Sequence, residues 1–243
     1  MPPMPRYLPA GESALVVEFG AAIDPSVHDC VLALDEAVRK AEWEGVIETV
    51  PTYRSLMIHF DPRMLTTEAL VEALGALNYA PSPRRIGRHR WHIPSCYDAP
   101  YAADIAELAE LLGLPQEKIV ELHLGACYRV YMYGFAPGWT FLGGLPQELA
   151  IPRRTVPRAP VLPGSLLIAG GQALIASCAM PTGWYGIGRT PVKMYDSRRE
   201  RVFLVDAGDQ ICFERVDAEA FEALRPEAEA GRLVVRNEAV DEA

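Results

Sequence analysis

The pattern of apolar and polar positions changes character part-way along the chain. Residues 14–19 (Ala-Leu-Val-Val-Glu-Phe) form a short β-rich run. Asp24-Pro25-Ser26 then offers a helix start, and residues 27–41 carry Val31, Leu32, Leu34 and Val38 on one face. Residues 46–50 and 55–60 are strand-like and are joined through Pro51-Thr52-Tyr53. Thr66-Thr67-Glu68 opens a second helix running to Leu77, with Leu70, Val71 and Leu74 on its face. Residues 88–93 are expected to add a closing strand. The predicted order, β-α-β-β-α-β, is the split βαβ or ferredoxin-like arrangement; a generic α+β domain of another topology is the alternative. An N-terminal domain over residues 1–93 follows.

Pro81-Ser82-Pro83 is too stiff for a helix. Past Pro94 the spacing predicts two helices, over residues 102–112 and 115–122, the second with Pro115 in its first turn. From Tyr128 onward glycine and proline punctuate short β-branched and aromatic runs: 130–132, 165–169, 173–175, 202–205 and 210–213. Regular short strands with such turns predict a β-barrel or sandwich over residues 94–243. The acidic stretch from Asp217 predicts a solvated helix, a short strand and a frayed tail.

Composition narrows the function classes. The net charge of −9 argues against a nucleic-acid partner. The basic groups Arg84, Arg85, Arg88, Arg90 and Arg153, Arg154, Arg158 read as small solvated clusters, with a phosphate-binding patch as the alternative for the first. No apolar run reaches the roughly 20 residues of a membrane helix, and residues 1–11 lack the apolar core of a signal peptide. The five cysteines, Cys30, Cys96, Cys127, Cys178 and Cys212, are odd in number and never spaced C-x-x-C. A reducing, cytoplasmic compartment and no metal site are expected.

Candidate chemistry is densest over residues 123–196. Gly134, Gly138, Gly143 and Gly144 let backbone turn sharply or approach a ligand closely. Phe135, Pro137, Trp139 and Trp184 stand ready to wall a pocket or to fill a core. Gly170 precedes Gln172, whose amide both donates and accepts, as binding a urea or lactam requires. Arg153 and Arg189 present fixed donors that suit a carboxylate, carbamate or phosphate. The other reading pairs them with Asp196 or Asp209. His123 is either a general base or a hydrogen-bonded structural histidine. Residues 169–172 (Ala-Gly-Gly-Gln) are not a G-x4-G-K-[ST] phosphate loop.

These blocks, in order, are Gly134-Phe-Ala-Pro-Gly-Trp-Thr-Phe-Leu-Gly-Gly-Leu-Pro146, Pro152-Arg-Arg-Thr-Val-Pro-Arg158, Pro163-Gly-Ser-Leu-Leu-Ile-Ala-Gly-Gly-Gln172 and Gly183-Trp-Tyr-Gly-Ile-Gly-Arg-Thr-Pro191. They resemble the allophanate hydrolase subunit 1 family, also described as carboxyltransferase subdomains C and D, whose pattern reads approximately GFxPGFxYLGGLP, PRxxxPR, VPAGSVGIAGxQTxIYP and GGWxxIGRTPxxLFD. The resemblance implies a cyclophilin-like β-barrel after a small α/β domain, hence an α+β chain. It implies a homologous carboxyltransferase-type second subunit, the two barrels together making a small-molecule site. Members include the B subunit of 5-oxoprolinase, the carboxyltransferase part of urea carboxylase, and a Kip-type inhibitor of a sensor histidine kinase. For the enzymes it implies ATP used at the level of the complex, and for 5-oxoprolinase a LamB/YcsF-type third subunit. Lys193, between Val192 and Met194, lies inside the last block, so it reads as strand and not as a carrier of covalent biotin. His123 and Arg189 are the catalytic candidates; Phe135, Pro137, Gly138, Arg153, Gly170, Gln172 and Trp184 are the substrate-binding ones. The chain departs from the pattern where QTxIYP becomes Gln-Ala-Leu-Ile-Ala-Ser over residues 172–177.

Overall fold

The computed structural model describes residues 4–80 and 89–240. The stiff 81–83 stretch and Arg84, Arg85 and Arg88 lie outside the described residues. The chain divides into two compact units, Met1–Ile86 and Gly87–Ala243.

In the first unit the strands are β1 (Arg6–Pro9), β2 (Ala14–Glu18), β3 (Val46–Pro51) and β4 (Ser55–Phe60), with helices α1 (Pro25–Ala41) and α2 (Thr67–Ala76). Both helices begin at capped ends, which satisfies backbone donors that lack intrahelical partners. The Asp24 carboxylate accepts from the Ser26 and Val27 amides, and the Thr66 hydroxyl accepts from the Ala69 amide. The sheet order is β1-β2-β4-β3. Leu15 and Val17, Val31 and Leu34, Leu56 and Ile58, and Leu70 and Leu74 form a separate core.

The order β2-α1-β3-β4-α2 follows the predicted rhythm, but the closing strand does not. The edge beside β2 is filled by β1, from the N-terminal side. The segment expected to close this sheet is β5 (His89–Ser95), and it belongs to the second unit. There it runs parallel to β13 (Gln210–Arg215) and antiparallel to β14 (Arg236–Ala239). Its Trp91 and Ile93 are buried in the second unit's core, which explains the choice of sheet.

The second unit continues with α3 (Ile105–Leu112), α4 (Gln116–Leu124), β6 (Cys127–Tyr133), β7 (Thr140–Gly143), β8 (Arg158–Val161), β9 (Ser165–Ala169), β10 (Gln172–Ile175), β11 (Met180–Thr182), β12 (Tyr185–Arg189) and α5 (Ala218–Glu229). Eight strands form one mixed sheet in the order β12-β9-β10-β7-β6-β13-β5-β14, and β8 pairs with β11 in a small second sheet. The fold is mixed helix and sheet, as expected. The large sheet does not close into a barrel among the described residues: β12 and β14 are its two edges. A single antiparallel bridge between Cys96 and Arg189 curls the β12 edge back to the end of β5. The apolar run 202–205 is not a strand; Phe203 makes only an isolated bridge to Tyr195.

Successive side chains in a strand point to opposite faces. Leu166, Ile168, Ala173 and Ile175 therefore enter the main core, with Val130, Leu142, Ile187 and Ile211. Leu167, Ala169, Leu174 and Ala176 enter a second, smaller cluster on the other face.

Candidate functional site

That smaller cluster is where the sequence candidates begin to converge. Trp139, Val161 and Trp184 cover the outer face of β9 and β10, with Phe141, Ala136, Cys178 and Met180 around them. Phe135 lies against Trp139 with ring centroids 5.1 Å apart, and Phe141 meets Trp184 edge-on at 6.0 Å. The result is an aromatic platform over β9 and β10.

The loop 134–139 positions its exposed side. It folds on itself: the Gly134 amide donates to the Trp139 carbonyl at 3.1 Å, and the Trp139 amide donates to Ala136 at 3.0 Å. Ser177 donates its hydroxyl to the Pro137 carbonyl and ties the loop to the end of β10. Gly138 has φ +78°, and a Cβ there would stand 2.3 Å from the Tyr195 Cβ, so only glycine fits. Phe135 has φ +65°, although it carries a bulky side chain, and the residue is 71% exposed. A non-glycine residue in the left-handed region costs of order 1 kcal/mol and persists where the surroundings impose it. Trp139 is only 2% exposed, yet its indole N–H has no hydrogen-bond partner among the described residues. A buried donor left unpaired costs about 1–3 kcal/mol.

The remaining candidates separate into two places. Gly170 and Gly171, both at positive φ, make the tight turn from β9 to β10, and Gln172 follows, half-buried. The segment bearing Arg153 lies at that same end, since the Arg154 amide donates to Gly183 and the Gly170 amide donates to Ile151. Arg153 is exposed and makes no ion pair or hydrogen bond with the described residues. Arg189 stands at the opposite end of β12, opposite Ser165. The length of β12, Tyr185–Arg189, lies between it and Gly183. Arg189 and the segment bearing Arg153 lie at opposite ends of β12. Arg189 donates through Nε and Nη2 to the Pro163 carbonyl, at 3.2 and 2.9 Å, and lies over the rings of Tyr101 and Phe221. It braces the end of β12 against the 162–164 turn and α5, and pairs with neither Asp196 nor Asp209.

His123 is on α4, away from the platform. It is 1% exposed, its Nδ1 is 2.8 Å from the Tyr97 hydroxyl, and its ring stacks on Phe213 at 4.5 Å. Burial pulls its pKa down to about 3. A histidine enclosed on every side exchanges no proton with a substrate, so the structural alternative describes it.

Two features escape a reading of the sequence. Arg154 and Arg158, not Arg153, are the anchored members of the basic block. Asp104, 3% exposed at the start of α3, receives Arg154 Nη2 at 3.2 Å, Arg158 Nη1 and the Gly186 amide at 2.7 Å. Arg154 also pairs with Glu107 and lies 4.1 Å over the Tyr185 ring. The only signal in the sequence is a lone acid ahead of a helix, too common to read. The other feature is the meaning of the departures over 172–177. Ala173 faces the main core, whereas Ala176 faces the platform and Ser177 holds its loop.

Residues 5–205 match the family described as carboxyltransferase domain, subdomain C and D. The chain belongs to that family. It is 30% identical over 236 residues to the B subunit of 5-oxoprolinase from Bacillus subtilis, covering 90% of this chain and 95% of that one. Among solved structures it is similar to TTHA0988 at 33% identity and TM-score 0.75; 84% of this chain is covered, but it spans only 40% of that longer chain. The Kluyveromyces lactis urea carboxylase shares the fold at TM-score 0.78 and 17% identity, with 97% of this chain and 24% of that chain covered.

Proposed function

We propose that this chain is a subunit of a 5-oxoprolinase-type enzyme that opens a small lactam or related amide. Its aromatic platform supplies half of the substrate site, and a homologous carboxyltransferase-type subunit supplies the other half. ATP is consumed by the complex, in which a LamB/YcsF-type subunit takes part. The observation that carries this reading is the Gly134–Trp139 loop, which holds an exposed Phe135 in left-handed backbone at the edge of the aromatic platform. Burying Phe135 against a partner is the gain that offsets its strain. Arg153, unpaired and beside the Gly170–Gly171 turn, is the guanidinium left to meet an anion of substrate or partner. The name of the Bacillus subtilis relative supports the substrate class.

Co-expression with the homologous second subunit and the third subunit tests this. The complex is expected to co-purify, and 5-oxoproline is expected to raise its ATP turnover while this chain alone shows none. Phe135→Gly relieves the backbone strain and removes the ring. It is expected to melt no lower than wild type alone, yet to cut turnover in the complex by about tenfold or more, a loss of about 1.4 kcal/mol. A complex that forms but is indifferent to both 5-oxoproline and urea would overturn the enzyme reading and leave kinase inhibition as its successor.

A further inference from the structure

Away from the platform, β6 and β13 place two cysteines directly opposite each other. Cys127 and Cys212 are register partners in an antiparallel ladder, and their sulfurs are 2.8 Å apart. Both are free thiols; Cys127 is exposed and Cys212 half-buried. We propose that Cys127 and Cys212 form a reversible dithiol–disulfide site that exchanges with small-molecule disulfides.

Geometry comes first. Opposed residues in an antiparallel ladder have Cα atoms about 4.5–5.5 Å apart, within the span of about 4.4–6.8 Å that disulfides use. Bonded sulfurs lie about 2.05 Å apart, so closing this bond asks for less than about 1 Å of motion. The surroundings favour an ordered sequence of attack. Cys127 is the accessible thiol, and the Gln210 amide oxygen that accepts from it at 3.6 Å also accepts from Arg90 Nε at 3.0 Å. Cys212 is the sheltered one: burial, then its hydrogen bond to Cys127, push its thiol up to about 12, while Arg90 pulls the other way.

The exchange balances without another redox partner. The Cys127 thiolate, its proton lost to solvent, attacks one sulfur of a disulfide R–S–S–R. That bond breaks, and one R–S⁻ leaves and is protonated. The mixed disulfide removes the Cys127 thiol that helped to hold the Cys212 proton. The Cys212 thiolate, its proton lost to solvent, then attacks the Cys127 sulfur and displaces the second R–S⁻, which is protonated. The protein loses an electron pair to the small disulfide, which becomes two thiols. The product is a covalent tie between β6 and β13, residues 85 apart in sequence. β6 leads directly into the platform loop.

The full chain, equilibrated with glutathione buffers of rising oxidised fraction and then alkylated, provides the test. The expected result is a mass lower by two hydrogens, a cross-linked peptide joining Cys127 to Cys212, and full return on reduction. Cys30, Cys96 and Cys178 are expected to be alkylated throughout on unfolding. The melting temperature of wild type is expected to rise on oxidation, and that of Cys127→Ser is not. A stable glutathione adduct on Cys127 without the cross-link, or a cross-link through Cys178, would overturn the proposal. Because the mapping is done on wild type, a variant that fails to fold leaves the outcome intact.

Discussion

At the scale of single residues, burial decides which candidates do chemistry. His123 carries the residue type of a general base, but its ring is walled in by Tyr97, Tyr128 and Phe213. The enclosure costs the charged form its water, and the pKa falls to about 3. The consequence for stability has a definite sign. In the unfolded chain a histidine titrates near 6.5. Between that pH and about 3 the unfolded state takes up a proton that the folded state refuses. The contribution is therefore complete above pH ~6.5 and is lost as pH falls, by at most about 1.4 kcal/mol per unit. His123→Gln removes the titrating group and keeps an acceptor for Tyr97. We expect it to be less stable than wild type at pH 7.5 by about 1–3 kcal/mol, with a shallower decline between pH 6.5 and 4.5. Urea midpoints measured across that range check this; parallel declines in the two proteins would show that other groups carry the acid sensitivity.

At the scale of elements, the sequence is legible where periodicity alone decides and opaque where pairing decides. Residues 165–169 and 173–175 read as strands because β-branched and aliphatic runs end in glycine turns, and β9 and β10 lie there. The helix and short strand expected after Asp217 are α5 and β14. β5 is equally visible as a strand, yet its sheet is not, because apolar residues on one strand face do not say which core receives them. β1, only four residues and mostly exposed, leaves no periodic trace. The platform's aromatics are legible as candidates from their glycine-flanked setting, but the separation of Arg153 from Arg189 follows from β12 register, which no motif encodes. The same logic distinguishes neighbouring arginines. Asp104 joins the start of α3 to β12 and to the 154–158 segment through two guanidinium groups and one amide. Asp104→Asn leaves Arg158 without its counter-charge and Arg154 with Glu107 alone, and we expect a loss of about 2 kcal/mol, or about 4–8 °C in melting temperature. Arg153→Ala touches no such pair, and its stability is expected to stay within about 0.5 kcal/mol of wild type. Differential scanning calorimetry of the two variants separates an anchoring role from a binding one, and equal losses would contradict the assignment.

At the scale of the whole molecule, each unit buries a core built from its own residues: Leu15 to Leu74 in the first, Trp91 to Phe213 in the second. Where the second unit begins is then a physical question about β5. That strand lies between β13 and β14 in the sheet and pairs with the former from Arg90 to Ser95. Its Trp91 Nε1 donates to the buried Asp209 carboxylate at 2.9 Å, and that carboxylate also accepts from the Asp206 amide. Removing β5 strips both neighbours of their ladder partners, opens the core at Trp91 and Ile93, and takes from Asp209 the indole that binds its buried carboxylate. A fragment of residues 87–243 is therefore expected to unfold in one cooperative transition and to keep the near-ultraviolet circular dichroism of a packed core. A fragment of residues 94–243, cut where the sequence rhythm alone would place the boundary, is expected to lose both. If the shorter fragment folds as well as the longer one, β5 is dispensable and the unit begins after it. If neither folds, the second core needs residues from before Gly87, and the two cores are not independent.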